Sequence, residues 1–335
     1  MSFLHHCLLI TPLASLLMGC AEPTPATPSK SPSAVARNEP EAQPEKITAI
    51  EKIPTKYLPN AVRVHAKVIS GGLPEGDEAF AELHALGIKT IISVDGAKPD
   101  LVAAEKFGMR YVHLPHGYDG VPQERAWELA KAVRDLPGPI YLHCHHGKHR
   151  SPAAAAVACV GAGMIGHADA ATVLQVAGTG AGYRGLFQSA ESAQPLDRAL
   201  LNELQADFPA VAKLPAMAQT MVMIEQVHDH LKKIEKAGWK TPVDHPALVP
   251  AHEALLLREH FTEMARMPEV QAKSAAFQSL TSEAETTALA LEEALKSSQL
   301  DVDHASKLLG VVKNNCQSCH QQFRDIPLNE KQAAR

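Results

Sequence analysis

The chain has 335 residues, enough for two domains of ordinary size. Apolar residues make up 45% of it, so each domain can bury a core. A formal net charge of −5 argues against a basic surface for nucleic acid.

Residues 1–19 carry no charged side chain, and residues 7–19 form a mostly apolar run too short to span a bilayer comfortably. The run ends in Leu17-Met18-Gly19-Cys20, which resembles a bacterial lipoprotein lipobox. The resemblance implies a signal peptide over residues 1–19 and a lipidated Cys20. It places the mature protein on the periplasmic side of the cell envelope, held to the membrane by its lipid. Ala21 fits delivery to the outer membrane. His5 and His6 stand where Lys or Arg would be usual, so an ordinary secretory signal and a soluble periplasmic protein stay open. Residues 20–60 then read as the lipidated cysteine and a Pro-rich, disordered linker.

Residues 61–208 alternate strand-like and helix-like segments. Strand material is expected over 62–70, 90–94, 109–114 and 139–142, with helices over 78–86, 101–107 and 123–136. The alternation predicts an α/β domain, a mainly parallel sheet flanked by helices, with its ligand site at the carboxyl ends of the strands.

The last of those strands runs into His143-Cys144-His145-His146-Gly147-Lys148-His149-Arg150-Ser151-Pro152. Ser151 can serve as N-cap and Pro152 as the first helical residue. A loop between a strand end and a helix N-terminus aims several backbone N–H groups at one point, which is an anion site. Cys144 offers a thiol there, favoured as thiolate by the helix dipole, and Arg150 a guanidinium that forks two oxygens. The pattern His-Cys-x-x-Gly-x-x-Arg-Ser resembles the signature loop of cysteine-dependent phosphatases of the dual-specificity and tyrosine type. The resemblance implies Cys144 as phosphoryl acceptor, Arg150 as phosphate clamp and Ser151 as the group that helps the thiolate leave. Residues His145, His146, Gly147, Lys148, His149 and Arg150 would cradle a phosphorylated or other oxyanion substrate. Asp119, in a Gly-flanked loop after a strand, is the chosen general acid, with His116 and Asp95 as rivals. A zinc or copper site built from His113, His116, His143, His145, His146 and His149 stays open. A Gly-rich loop over 177–185, with Tyr183 and Arg184, is expected to line the pocket, and Cys159 to be a small core residue.

Residues 209–335 change character. Apolar residues step by three and four in stretches starting at Met217, Ala254, Phe277 and Leu308, which predicts an antiparallel four-helix bundle. The fourth stripe holds Cys316-Gln317-Ser318-Cys319-His320, the attachment motif for a c-type haem. Its position near the end of a bundle resembles cytochrome c′ and the related c556 group. The resemblance implies one covalent haem c on Cys316 and Cys319, with His320 as proximal iron ligand. The distal position falls on the first bundle helix, where Met221 is ranked ahead of Met217, Met223 and His228. The whole chain therefore reads as an exported cysteine phosphatase coupled to a haem module that meets a redox partner or a small gas. The alternative is an electron-transfer or gas-binding cytochrome whose first domain only binds an oxyanion or a metal.

Overall fold

The structure is a computed structural model that describes residues 49–333. The expected signal segment, Cys20 and the greater part of the linker lie outside the described residues. Among the described residues no helix is long and apolar enough to cross a membrane.

Three short strands come first: β1 (Glu51–Lys52), β2 (Val62–His65) and β3 (Val68–Gly71). The linker expected to run to residue 60 therefore ends earlier, because β1 already pairs with β2. The stretch at 62–70 is also two strands rather than one: β2 and β3 pair antiparallel across a bulge at Arg63/His65. The chain then alternates through α1 (Gly76–Ala85), β4 (Thr90–Ser93), α2 (Leu101–Lys106), β5 (Arg110–His113), α3 (Gln123–Asp135), β6 (Ile140–His143) and α4 (Arg150–Gly161). Three smaller helices, α5 (Ala170–Ala177), α6 (Arg184–Ser192) and α7 (Arg198–Glu203), complete this domain.

The sheet order is β1-β2-β3-β6-β4-β5, with β3, β6, β4 and β5 parallel. β6 sits between two parallel neighbours and every residue of it is buried, which is why it is apolar with no alternation. Gly71 of β3, His143 of β6 and Ser93 of β4 are in register, so three strand ends share one rim. The loop after β6 opens at that rim, where parallel sheets bind ligands. One face of the sheet packs on α1 and α2 through Phe80, Leu83, Ile91 and Tyr141. The other packs on α3, α4 and α5 through Leu129, Val133, Leu142 and Leu174. The alanine run of α4 reflects this crowding: Ala153 to Ala156 are all buried, and a Cβ on Gly161 would sit 2.9 Å from that of Ala130.

Beyond Pro215 the chain forms α8 (Ala216–Lys236), α9 (Pro250–Arg266), the single turn α10 (Pro268–Gln271), α11 (Ala275–Lys296) and α12 (Val302–Cys319). The stripes read from the sequence meet in one core that includes Ile224, Leu231, Leu257, Phe261, Ala288, Leu291 and Val312. Each fully buried Leu contributes roughly 1.5–3 kcal/mol. The helix starts are capped as their sequences suggest: Pro250 opens α9, Ser274 accepts from Phe277 N–H, and Asp301 accepts from His304 N–H. Inside the bundle Glu292 is buried but paired with Arg258 (2.6 Å) and Lys296. At its C-terminal end α12 widens into a π turn over His320–Arg324, and a last short helix, α13 (Leu328–Ala333), follows.

Candidate active site and candidate haem site

The loop after β6 is tied down on every side. Leu73 N–H donates to His145 O (3.0 Å), and Asn60 Nδ2 donates to Gly147 O and Ala177 O (both 2.8 Å). Thr179 Oγ1 donates to Lys148 O (2.6 Å). Gly147 has φ +70°, and a Cβ there would lie 2.4 Å from Gly72 N, so this position admits only glycine. The N–H groups of His146, Gly147, Lys148 and His149 find no acceptor among the described residues, which leaves a ring of donors for an anion.

Cys144 is buried at the head of this ring. The helix starts two residues earlier than expected: His149 is the N-cap, and Ser151 lies inside the first turn. Its side chain is turned inward instead, with Oγ 3.0 Å from Gly71 O and 3.3 Å from Cys144 Sγ. One hydroxyl proton serves two acceptors, so Ser151 can rotate its donation from the carbonyl to a departing thiolate. Arg150 donates from Nη2 to Asp95 Oδ2 (2.8 Å), while its Nε is buried and has no partner among the described residues. Asp95 also accepts from His145 N–H (2.6 Å) and Ala97 N–H (2.8 Å). Burial alone would raise its pKa, but the Arg150 guanidinium and the Ala97 N–H overcome that and hold it at about 2. Asp95 is therefore a fixed carboxylate that orients the loop and the arginine, and it is unsuited to giving a proton.

Tyr118 forms the wall. Two guanidiniums lie over its ring, Arg150 at 4.4 Å and Arg324 at 4.0 Å. Tyr183 stacks beside it at 5.4 Å and against His149 at 4.2 Å, so the loop over 177–185 does line the site. Burial, then repulsion from His146, Arg150 and Lys148, pushes His149 down to about 4, which makes it a neutral ring. Asp119 is clasped by the C-terminal segment: Lys331 Nζ lies 2.9 Å from its Oδ2, and Leu328 N–H donates to its backbone O (3.0 Å). Arg184 pairs with Glu330 (2.8 Å) on the same clasp.

The site made of six histidines does not assemble. His143 Nε2 bonds Tyr111 Oη (2.6 Å), and burial pushes it down to about 4. His113 bonds Asp95 O (2.7 Å) through Nε2 and accepts from Ala212 N–H (3.1 Å) at Nδ1. His116 Nδ1 is bonded to Gly117 O (2.8 Å). His145 and His146 turn away from the others toward α8, where His145 Nε2 meets Asp229 Oδ2 at 3.0 Å.

The haem motif sits where the bundle closes. Cys316 and Cys319 are free, half-buried thiols that pack on the bundle core, as do Met217, Met221, Leu308 and Phe323. Burial, then Glu225 and Cys319, pushes Cys316 up to about 11. Burial and Arg324 push His320 down to about 3, leaving a neutral imidazole. Two free thiols one helical turn apart and an adjacent neutral histidine form a donor set that fits a c-type haem, and Met217 and Met221 of α8 pack on the same core. Met223 is exposed and does not join this group. His228 Nε2 is buried with no partner among the described residues. A surface groove of about 520 Å³ between α11 and α12, lined by Thr286, Val311 and Ser318, contains none of these groups.

Sequence reasoning missed Tyr118, Glu225, Asp229 and the clasp from Arg324 to Lys331. No local pattern marks them, because each acts across a domain boundary.

The family model described as Cytochrome C' matches residues 210–324. The first domain is similar in fold to two solved phosphatases. TpbA of P. aeruginosa shares 22% identity over 43% of this chain and 88% of its own, with a TM-score of 0.36. The core catalytic domain of the PP-IP phosphatase SIW14 of S. cerevisiae, solved with citrate, shares 18% over 45% of this chain and 92% of its own, with a TM-score of 0.36. No curated protein matches the chain.

Proposed function

We propose that this chain, a cysteine-phosphatase-like domain joined to a haem-binding cytochrome c′ domain, hydrolyses phosphate esters through Cys144 outside the cytoplasm under the influence of its haem domain. The observation that carries the reading is the grouping of a buried thiol, a serine hydroxyl 3.3 Å from it and an arginine whose Nε has no partner, around a ring of free amides.

In this mechanism the Cys144 thiolate attacks phosphorus. The S–P bond forms as the ester P–O bond breaks, and Asp119 gives its proton to the leaving oxygen. Arg150 Nε and the loop amides hold the equatorial oxygens, whose charge they match throughout. Water then attacks phosphorus, its proton passes to the Asp119 carboxylate, and the S–P bond breaks. Ser151 shifts its proton toward Cys144 Sγ to stabilise the returning thiolate, and phosphate leaves.

In the second domain Cys316 and Cys319 would hold one haem covalently, and His320 would ligate its iron. The group supplies a redox-active iron able to bind a small gas. Met221, or Met217, on α8 would be the candidate to approach the iron from the bundle core. The π turn that carries His320 leads directly into Arg324 and Lys331, which touch Tyr118 and Asp119. A shift of His320 with the state of the iron therefore has a short path to the acid loop. The lipobox at Cys20 completes the reading as a periplasm-facing lipoprotein; release by Cys20→Ser into the soluble fraction tests it.

The pairing of Asp119 with Lys331 favours a second reading, in which the loop only binds an oxyanion and the cytochrome carries the function. Turnover of a small aryl phosphate by reduced protein separates the two. Hydrolysis lost in Cys144→Ser, with vanadate binding kept, supports the phosphatase; vanadate binding without turnover in the wild type supports the second reading.

A further inference from the structure

The side chains of two of the loop histidines play no part in the phosphate chemistry proposed above. The rings of His145 and His146 lie 4.3 Å apart at the edge of the loop that meets α8. Opposite them α8 presents Glu225, His228 and Asp229, which are spaced to share one face of the helix. One donor atom each from His145, His146 and Glu225 lie within 4.8 Å of one another, and the same holds for Glu225, His228 and Asp229. Glu225 belongs to both groups, so four further donors from two domains gather around one carboxylate. Asp229 Oδ2 already meets His145 Nε2 at 3.0 Å, and Lys232 pairs with the same aspartate. His228 Nε2, buried with no partner among the described residues, flanks the same carboxylate.

We propose that His145, His146 and Glu225 form a site for a zinc-class divalent metal that bridges the active-site loop and the first bundle helix. Asp229 orients the His145 ring, and His228 lies next to the shared carboxylate. Two imidazoles with a carboxylate are the donors zinc takes, with a fourth position left for solvent; calcium and magnesium would demand oxygen ligands throughout. A carboxylate on a ligating histidine is the usual outer partner of such a site. The ion would staple α8 to the two residues that follow Cys144. Bound zinc therefore holds the nucleophile's loop against the haem domain and slows any reaction that needs the loop to move. The assignment of the site itself does not depend on the phosphatase reading.

The test uses full-length holoprotein, stripped with a chelator, dialysed against buffered zinc and analysed for zinc and iron together. The wild type is expected to retain about one zinc per haem iron. Glu225→Gln and His146→Gln should lose it, and Asp229→Asn should bind about 10- to 100-fold more weakly. His245→Ala, away from the cluster, should bind as wild type. Far-UV circular dichroism and the haem spectrum verify that each variant is folded, and Glu225 and His146 are exposed enough to change without disturbing a core. No retained zinc in the wild type, or zinc retained equally by Glu225→Gln and His146→Gln, overturns the site. An aryl phosphate assay run in parallel should show zinc inhibition in the wild type and none in Glu225→Gln. If no form turns over substrate, the phosphatase reading fails while the zinc stoichiometry still decides the site.

Discussion

Lys331→Ala is the sharpest probe of how the two domains communicate. Lys331 Nζ lies 2.9 Å from Asp119 Oδ2, with side chains 31% and 19% exposed. A pair that open to solvent is worth about 0.5–1 kcal/mol. The Leu328 N–H to Asp119 O bond of 3.0 Å adds about 0.5–1.5 kcal/mol. Removing the lysine should therefore free the acid loop by roughly 2- to 5-fold in population, and truncation after Asp325 by about tenfold, since each 1.4 kcal/mol is a factor of ten. The assay is kcat/KM for two substrates, an aryl phosphate with a good leaving group and an alkyl phosphate with a poor one. Only the poor leaving group needs a proton from Asp119, so the gain should be confined to the alkyl ester. High salt should imitate part of the gain in the wild type, because the pair is partly exposed. Asp119→Asn combined with Lys331→Ala should be no faster than Asp119→Asn alone, since the lysine acts only through the aspartate. Equal gains on both substrates, or none on either, would refute the argument.

Arg150→Ala should weaken both turnover and vanadate binding, whereas Cys144→Ser should abolish turnover alone; equilibrium binding beside kinetics distinguishes them. Cys316→Ser/Cys319→Ser should remove a mass equal to one haem from protein matured in the periplasm, and intact mass reads the difference directly. Asp95 has a folded pKa held below its unfolded value, at about 2, so its stabilising effect is fully present above about pH 4 and is lost as pH falls toward 2. Asp95→Asn should accordingly lower Tm at neutral pH and converge with the wild type near pH 2, as followed by thermal melts across that range. Leu257→Ala, at a fully buried position of the bundle, should destabilise by about 2–5 kcal/mol in a denaturant titration.

The elements that the sequence made legible are those whose signal is local. β6 reads as a strand because it is buried on both faces, and the bundle helices because each carries one apolar stripe that meets the others. The spacing of Cys144, Gly147 and Arg150 is legible for the same reason: one loop must place all three, and the φ of +70° at Gly147 is written into its residue type. The β2–β3 hairpin was hidden because both strands are apolar enough to read as one run, and the turn between them carries neither Gly nor Pro.

What joins the halves follows a different logic. His145 and Asp229 are 84 residues apart, and Lys331 and Asp119 are 212 apart. No periodicity links such pairs, so the sequence offered a metal site made of the loop's histidines with His113 and His116 upstream. The fold spends most of those histidines on structure: His143 on Tyr111, His113 on Asp95 and Ala212, His116 on Gly117, His149 on Tyr183. The two that remain point at the bundle. Arg324, four residues beyond His320, lies over the ring of the tyrosine that also packs on Arg150. The anion clamp and the turn that follows the haem motif thus share one aromatic ring. Under the function proposed above, a displacement of that turn that moves Arg324 off Tyr118 would change one side of the ring on which Arg150 packs, and Arg324→Ala, assayed for turnover and vanadate binding, reads whether the clamp responds.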